Sequence, residues 1–364
     1  MVNKLNNITV LEGDGIGPEV VAQALKVLDR IGKKYHHKFV VSKQLIGAAA
    51  IDATGNPLPD ETTAACHASD AVLLGAIGDP RFDNDPNATV RPEQGLLKIR
   101  KELGLFANVR PVKLFDALSH LSVLKPHVLE GVDMVIYREL TGGIYFGEKS
   151  RVGDVASDLC KYEAYEIDRI ARLAFAEAGR RSGKLCLIDK ANVLDTSRLW
   201  RDRVNKLKPE YPDVEVSYLF IDNAAMQMIL NPSQFDVIVT SNMFGDIISD
   251  EASILGGSLG MLPSSSAGTG TRLYEPVHGS YPQGAGKDIA NPIATILSVE
   301  MMLRDFDLIE EADDVLAAVG YCIEHGLLTV DINPDNPLKC SEVGDHISNA
   351  ILEKKVALDF GVII

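Results

Sequence analysis

The stretch FDVIVTSNMFGDIISDEAS, Phe235–Ser253, decides the fold. Its first half is a short, continuous, β-branched apolar run, the pattern of a strand buried on both faces of a parallel sheet. Its second half, from Asn242, reads as a helix. On that helix Asp246 and Asp250 are four residues apart, so they share one face, one turn apart. Two carboxylates so placed repel each other unless a cation lies between them, and Mg²⁺ or Mn²⁺ takes hard oxygen ligands from one or two carboxylates plus substrate. An isolated D-x-x-x-D is more often a solvated acidic face. Here the strand delivers the chain straight into the helix. The pair therefore stands at the carboxyl end of a parallel strand, where open α/β sheets bind ligands.

Working outward, strand-like and helix-like segments alternate through the chain. ITVL (Ile8–Leu11), KFVVSKQLI, AVLLGAI (Ala71–Ile77), VDMVIYREL, KLCLIDK and VEVSYLFID read as strands. Helical periods run from Pro18 to about Lys34, from Tyr162 to Arg181 and from Asp195 to Lys208. This predicts an α/β fold with a mostly parallel sheet. Two stretches break the alternation. Asp79–Arg91 is polar and turn-rich and is expected to be a loop. Thr141–Ser157 is glycine-rich and is expected to form an extended hairpin arm of the kind that joins subunits.

The chain has 364 residues, 46% of them hydrophobic, and a formal charge of −15. That size is ample for two domains. The acidic balance disfavours nucleic acid and anionic membrane surfaces as partners. No apolar run approaches a membrane span, and the N-terminus lacks a signal-peptide core. Five scattered cysteines with no C-x-x-C pair read as reduced thiols, so a cytoplasmic location is expected.

Several side chains are placed for chemistry. GDGIGPEV (Gly13–Val20) follows a strand and opens a helix, but its glycines fall as G-x-G-x-G, not as the Rossmann G-x-G-x-x-G. It reads as a tight turn. Arg100 lies on a helix after two leucines, Arg110 and Arg138 stand at or near strand ends, and three guanidinium forks can hold a dicarboxylate. Lys190 ends a strand in LIDKANVLDTS and can move a proton, or simply pair with a carboxylate. Tyr145 can donate a proton or simply pack. Asp222, at the end of YLFID, is a third acidic residue where a ligand would lie. EPVHGSYPQGAGKDIANP (Glu275–Pro292) is a long glycine-rich loop whose amides can wrap a nucleotide.

Taken in order, GDGIGPEV, LFANVRP, RELTGGIYFGE, DKANVL, NMFGDIISDEAS and EPVHGSYPQGAGKDIANP resemble the β-decarboxylating dehydrogenases, over residues 8 to 350. The resemblance implies a non-Rossmann dinucleotide fold of two domains sharing a large mixed, partly parallel sheet. A discontinuous cofactor domain is expected at 1–105 and 257–364, and a substrate and dimerisation domain at 106–256 with an arm at about 141–160. It implies a homodimer whose active sites are completed across the interface. The activity implied is NAD-dependent oxidative decarboxylation of 3-isopropylmalate. Tartrate or malate, homoisocitrate and isocitrate are the alternative substrates, and a non-catalytic regulatory subunit is the alternative of another class. By motif, Arg100, Arg110 and Arg138 bind the malate carboxylates. Asp246 and Asp250, with Asp222 of a second copy, hold Mg²⁺ or Mn²⁺. Lys190, also of the second copy, and Tyr145 transfer protons. Ile16, Glu275, His278, Gly279, Ser280, Gln283 and Asn291 line the NAD site.

One departure stands out. The family commonly carries Asp where this chain has Gln283. A carboxylate accepts two ribose hydroxyl bonds and repels a 2′-phosphate, whereas glutamine accepts one and repels nothing. NAD⁺ remains the expected cofactor because no cation replaces the Asp. Leu96 and Leu97 precede Arg100 by four and three residues and so share its helix face. They would offer methyls to an isopropyl group, with Glu93 a further turn back to repel an extra carboxylate. Such a leucine pair is otherwise ordinary core packing.

Overall fold

A computed structural model describes residues 5–84 and 88–352. The centre of the Asp79–Arg91 segment and the outer ends of the expected domain bounds lie outside the described residues. The strands are β1 (Leu5–Gly13), β2 (Lys38–Gln44), β3 (Ala71–Ala76), β4 (Leu105–Lys113), β5 (Asp133–Glu139), β6 (Lys149–Val152), β7 (Val155–Asp158), β8 (Lys184–Asp189), β9 (Glu215–Phe220), β10 (Val237–Thr240), β11 (Pro263–Gly268) and β12 (Arg272–Pro276). The class is α/β with a large mixed sheet. The chain divides into two compact units, Met1–Leu103 with Ser258–Ser265 and Thr269–Ile364, and Gly104–Gly257 with Ser266–Gly268. No helix among the described residues is long and apolar enough to cross a membrane.

In the first unit the strand order is β2-β1-β3-β12-β11, with β1 parallel to β2 and β3, and β12 parallel to β3. The β3 run AVLLGA is buried throughout, as its unbroken apolar sequence requires. The Gly17–Tyr35 helix starts with Pro at its first turn and buries Val20, Val21, Ala24, Val27, Leu28 and Ile31, a helical stripe of period 3.6.

In the second unit the order is β4-β5-β10-β8-β9, with β4 antiparallel to β5 and the others parallel. Alternation along the strands sends side chains to two separate cores. Val135, Tyr137, Val237 and Val239 join Phe175 and Trp200 on one face. Met134, Ile136, Ile238 and Ile188 join Ile248 and Met228 on the other. Arg138 has the parity of Met134 and Ile136. The β4–β5 register sets Asn108 opposite Arg138 and Arg110 opposite Ile136. All three polar residues therefore emerge on the face covered by the Asn242–Ser253 helix.

Three local expectations need correction. The hairpin arm is shorter than expected: β6 and β7 pair antiparallel and are fully exposed, but Gly143–Tyr145 ahead of them is a 3₁₀ turn packed on Tyr162. The polar segment after β3 holds a one-turn helix, Pro80–Asp83, because the Asp79 carboxylate accepts the Arg81 N–H at 2.9 Å. Asp222 does not end a strand. It lies in the first turn of the Ile221–Leu230 helix, where a carboxylate is favoured by the helix dipole.

Candidate active site

The Asn242–Ser253 helix carries the carboxylate pair, as the sequence predicts. Its approach to the sheet depends on Gly245. A Cβ there would meet Arg138 Cγ at 2.6 Å, so only glycine lets the helix lie this close. Asp246 Oδ1 accepts from Arg138 Nη1, and Asp246 Oδ2 accepts from the Tyr145 hydroxyl at 3.1 Å. Asp250 Oδ1 accepts from Arg110 Nη1 at 2.8 Å. The repulsion between the two carboxylates is thus met within the chain by two guanidinium groups. The Tyr145 hydroxyl is held above its ordinary pKa by burial first, and then by the Asp246 charge and hydrogen bond. It stays protonated at neutral pH and is available as a donor.

The arginines are themselves held. Asn242 Oδ1 accepts from Arg138 Nε at 3.1 Å and Nη2 at 3.0 Å. Arg110 also donates to Asn108 Oδ1 and to Ser249 Oγ, each at 2.7 Å. Arg110 lies within β4 rather than near its end, with one face of its fork still directed at the helix. Lys190 follows β8, and its Nζ lies 2.7 Å from Asp222 Oδ1. That hydrogen bond holds the Asp222 carboxylate below its ordinary pKa. Asp222 and Lys190 form their own pair in this chain. Among the described residues no group of three or more His, Cys, Asp or Glu side chains could hold a metal. Two hard carboxylates on one helix face nevertheless suit Mg²⁺ or Mn²⁺, which need only one or two from the protein. The Asp250 side chain, 63% exposed, keeps its second oxygen open.

The first unit holds the remaining candidates. Arg100 Nη2 donates to Glu275 Oε1 at 2.7 Å, while Arg100 Nε is buried with no hydrogen-bond partner among the described residues. Such an orphaned donor calls for a further partner, which a water or a bound ligand can supply. Leu96 is half-buried, whereas Leu97 is 45% exposed and so is not core packing. Glu93 is exposed on the same helix. In the long loop His278 Nδ1 contacts the Gly279 carbonyl at 3.0 Å, and its Nε2 is buried without a partner among the described residues. Burial pushes the His278 pKa below its ordinary value. Gly279 and Gln283 are exposed, Ser280 is buried, and Asn291 Nδ2 donates to Asp331 Oδ2 at 3.1 Å. Glu275 is not in the loop but in β12. Ile16 is 4% exposed and packs with Val20, Ala290 and Cys340, so its side chain serves the core.

The sequence profile of the isocitrate/isopropylmalate dehydrogenase family matches residues 7–347. The chain belongs to this family. It is 54% identical over 334 residues to a 3-isopropylmalate dehydrogenase of Nitratidesulfovibrio vulgaris, covering 90% of this chain and 93% of that one. It is 52% identical over 357 residues to a 3-isopropylmalate dehydrogenase of Aquifex aeolicus, covering 96% and 97%. Among solved structures, an isocitrate dehydrogenase from Methylococcus capsulatus is 34% identical with a TM-score of 0.86, covering 95% of this chain and 99% of that one. As a member of the isocitrate/isopropylmalate dehydrogenase family, the chain is an oxidoreductase.

Sequence reasoning passed over residues that position this family's motifs. Asp14, in GDGIGPEV, is 6% exposed, and its carboxylate accepts the N–H groups of Ala48, Ala49 and Gly78, each at 3.0 Å. It therefore occupies the N-terminus of the Gly47–Thr54 helix as a bound anion would. Burial raises its pKa despite those bonds. Asn242 and Asp331 were missed because their partners are distant in sequence. An Asn at the first turn of a helix after a strand is the only local signal for Asn242.

Proposed function

We propose that the chain catalyses the NAD-dependent, Mg²⁺- or Mn²⁺-dependent oxidative decarboxylation of 3-isopropylmalate to 4-methyl-2-oxopentanoate, a step of leucine biosynthesis. The observation that carries the reading is the Arg138–Asp246–Tyr145 cluster, in which carboxylate-binding, metal-binding and proton-donating groups share one point. Arg100, Arg110 and Arg138 bind the substrate carboxylates. Lys190 takes the proton of the C2 hydroxyl. After CO₂ leaves, the Tyr145 hydroxyl gives its proton to C3. NAD⁺, when bound, would supply the hydride acceptor, and Asp246 and Asp250, with Asp222 of a second copy, would hold a divalent metal that would supply Lewis acidity to the substrate. The orphaned nitrogens of His278 and Arg100 are consistent with a ligand in the first unit. His278, Gly279, Ser280, Gln283 and Asn291 would line the nucleotide, with Glu275 behind Arg100 and Ile16 contributing backbone.

A homodimer accompanies this reading. Met226, Ile229 and Leu230 on the Ile221–Leu230 helix and Ile247 and Ile254 at the next are 47 to 67% exposed. Apolar exposure of that extent on adjoining helices favours burial by a second copy. Lys190 and Asp222 would then serve the carboxylates of the partner.

The test is NADH formation from a panel of 2-hydroxy diacids with Mn²⁺. The exposed Leu97 methyls favour an isopropyl group, and the extra carboxylate of isocitrate would be desolvated without a partner. The expected kcat/KM for 3-isopropylmalate exceeds that for isocitrate or tartrate by about 10²-fold, and Leu97→Ala lowers it. Equal or better turnover of isocitrate overturns the assignment.

A further inference from the structure

Glu139 is a charged side chain in a place that penalises charge. It is 0% exposed, at the end of β5. Arg169 Nη2 lies 3.4 Å from its Oε1, and Arg169 Cζ sits over the Phe106 ring at 4.4 Å. Burial pushes the Glu139 pKa up, opposed chiefly by hydrogen bonds from Thr141 and Gly142. A buried carboxylate this weakly paired costs stability that an apolar residue would not. The mechanism above does not use it.

Its bonds show what it holds. Oε1 accepts from Thr141 N at 3.0 Å and Thr141 Oγ1 at 2.8 Å, and Oε2 accepts from Gly142 N at 2.7 Å. These residues open the 3₁₀ turn Gly143–Tyr145. Gly143 has φ +77°, and a Cβ on Gly142 or Gly143 would meet Tyr162 at 2.7 or 2.4 Å. At Gly142 and Gly143 the chain is bare backbone pressed on an aromatic ring. Gly143 N donates to the Lys161 carbonyl at 2.9 Å, and Asn242 Nδ2 reaches the Gly142 carbonyl at 3.3 Å. Tyr145 itself is 42% exposed, so packing does little to fix its ring, and its hydroxyl lies 3.1 Å from Asp246.

We infer that Glu139 is a positioning residue for Tyr145, its carboxylate pinning the Thr141–Gly142 amides so that the phenol is aimed at the reacting carbon. The inference rests on the proton-donor reading of Tyr145. It does not extend to Arg138, whose own partners include Asn242 Oδ1.

The experiment is a double-mutant cycle of Glu139→Gln and Tyr145→Phe. Glutamine keeps the shape but sets an NH₂ against either the Gly142 or the Thr141 N–H. Steady-state kinetics with 3-isopropylmalate, NAD⁺ and Mn²⁺ are measured alongside thermal melting. Glu139→Gln alone is expected to lower kcat about 10-fold or more, the scale of a small misplacement of a reacting group. Its KM for 3-isopropylmalate should stay within about twofold, since uniform substrate binding is untouched. In the Tyr145→Phe background the same change should lower kcat by less than about twofold, because the group it positions is gone. Wild-type kcat in Glu139→Gln, or the same fold-loss in both backgrounds, overturns the inference. Wild-type kcat in Tyr145→Phe overturns the proton-donor reading instead. Should Glu139→Gln fail to fold, Thr141→Val removes one of the same bonds at a half-buried site and is read by the same cycle.

Discussion

Asp250→Asn separates metal binding from folding. The Asp250 side chain is 63% exposed, and its bond in the chain is to Arg110 at 2.8 Å. An ion pair that exposed contributes about 0–1 kcal/mol, so the fold should barely notice the change. Arg110 is not left stranded, since Asn108 and Ser249 still accept from it at 2.7 Å. The effect on a divalent ion is larger. A double charge about 3 Å from the carboxylate gains about 3 kcal/mol even at the dielectric constant of water, roughly 10²-fold in dissociation constant. Asparagine keeps an oxygen but loses that attraction. The assay is a titration of Mn²⁺ by electron paramagnetic resonance in the presence of 3-isopropylmalate, with the melting temperature as control. The expected result is Mn²⁺ binding weaker by about 10²-fold or more and a melting temperature within a few degrees of wild type. Unchanged Mn²⁺ affinity in a folded Asp250→Asn protein would refute the reasoning.

Lys190→Ala should block hydride transfer and Tyr145→Phe should slow turnover, each by about 10²-fold, measured as NADH formation; retention of full activity by both refutes the assigned roles. Gln283→Asp should sharpen the preference for NAD⁺ by restoring repulsion of a 2′-phosphate, read as the ratio of kcat/KM values. A wild-type enzyme that prefers NADP⁺ contradicts this. His278 has a folded pKa below its ordinary value of 6.5. Its contribution is therefore complete above the unfolded pKa and is lost as pH falls toward the folded one. Melting temperature should decline below pH 6.5, and His278→Gln should flatten that decline; parallel curves for the two proteins exclude His278 as its source.

The sequence was most legible where one period governs a whole element. The β10 run and the helix after it could be read together because a β-branched run and an i, i+4 pair each follow a local rule. What escaped was set by contacts between distant segments. Asp14 reads as part of a glycine turn, and only the folded chain brings Ala48, Ala49 and Gly78 to its carboxylate. Glu139 is charged in a strand end and gives no local sign that it is fully buried. Asp222 looks like a strand end in sequence because no turn residue separates β9 from the helix that follows. The arginines were recognised as carboxylate binders, but their carboxylates in this chain are Glu275, Asp250 and Asp246.

Those last two pairs have a consequence for how ligands arrive. Arg110 with Asp250 and Arg138 with Asp246 make a layer of two positive and two negative charges that is neutral as it stands. A divalent cation entering alone draws the aspartates away from guanidinium groups and leaves those groups unopposed. A dianion entering alone does the reverse. When both enter, every charge changes partner and none is left over. Metal and substrate are thus expected to strengthen each other's binding by the same factor, whichever is added first.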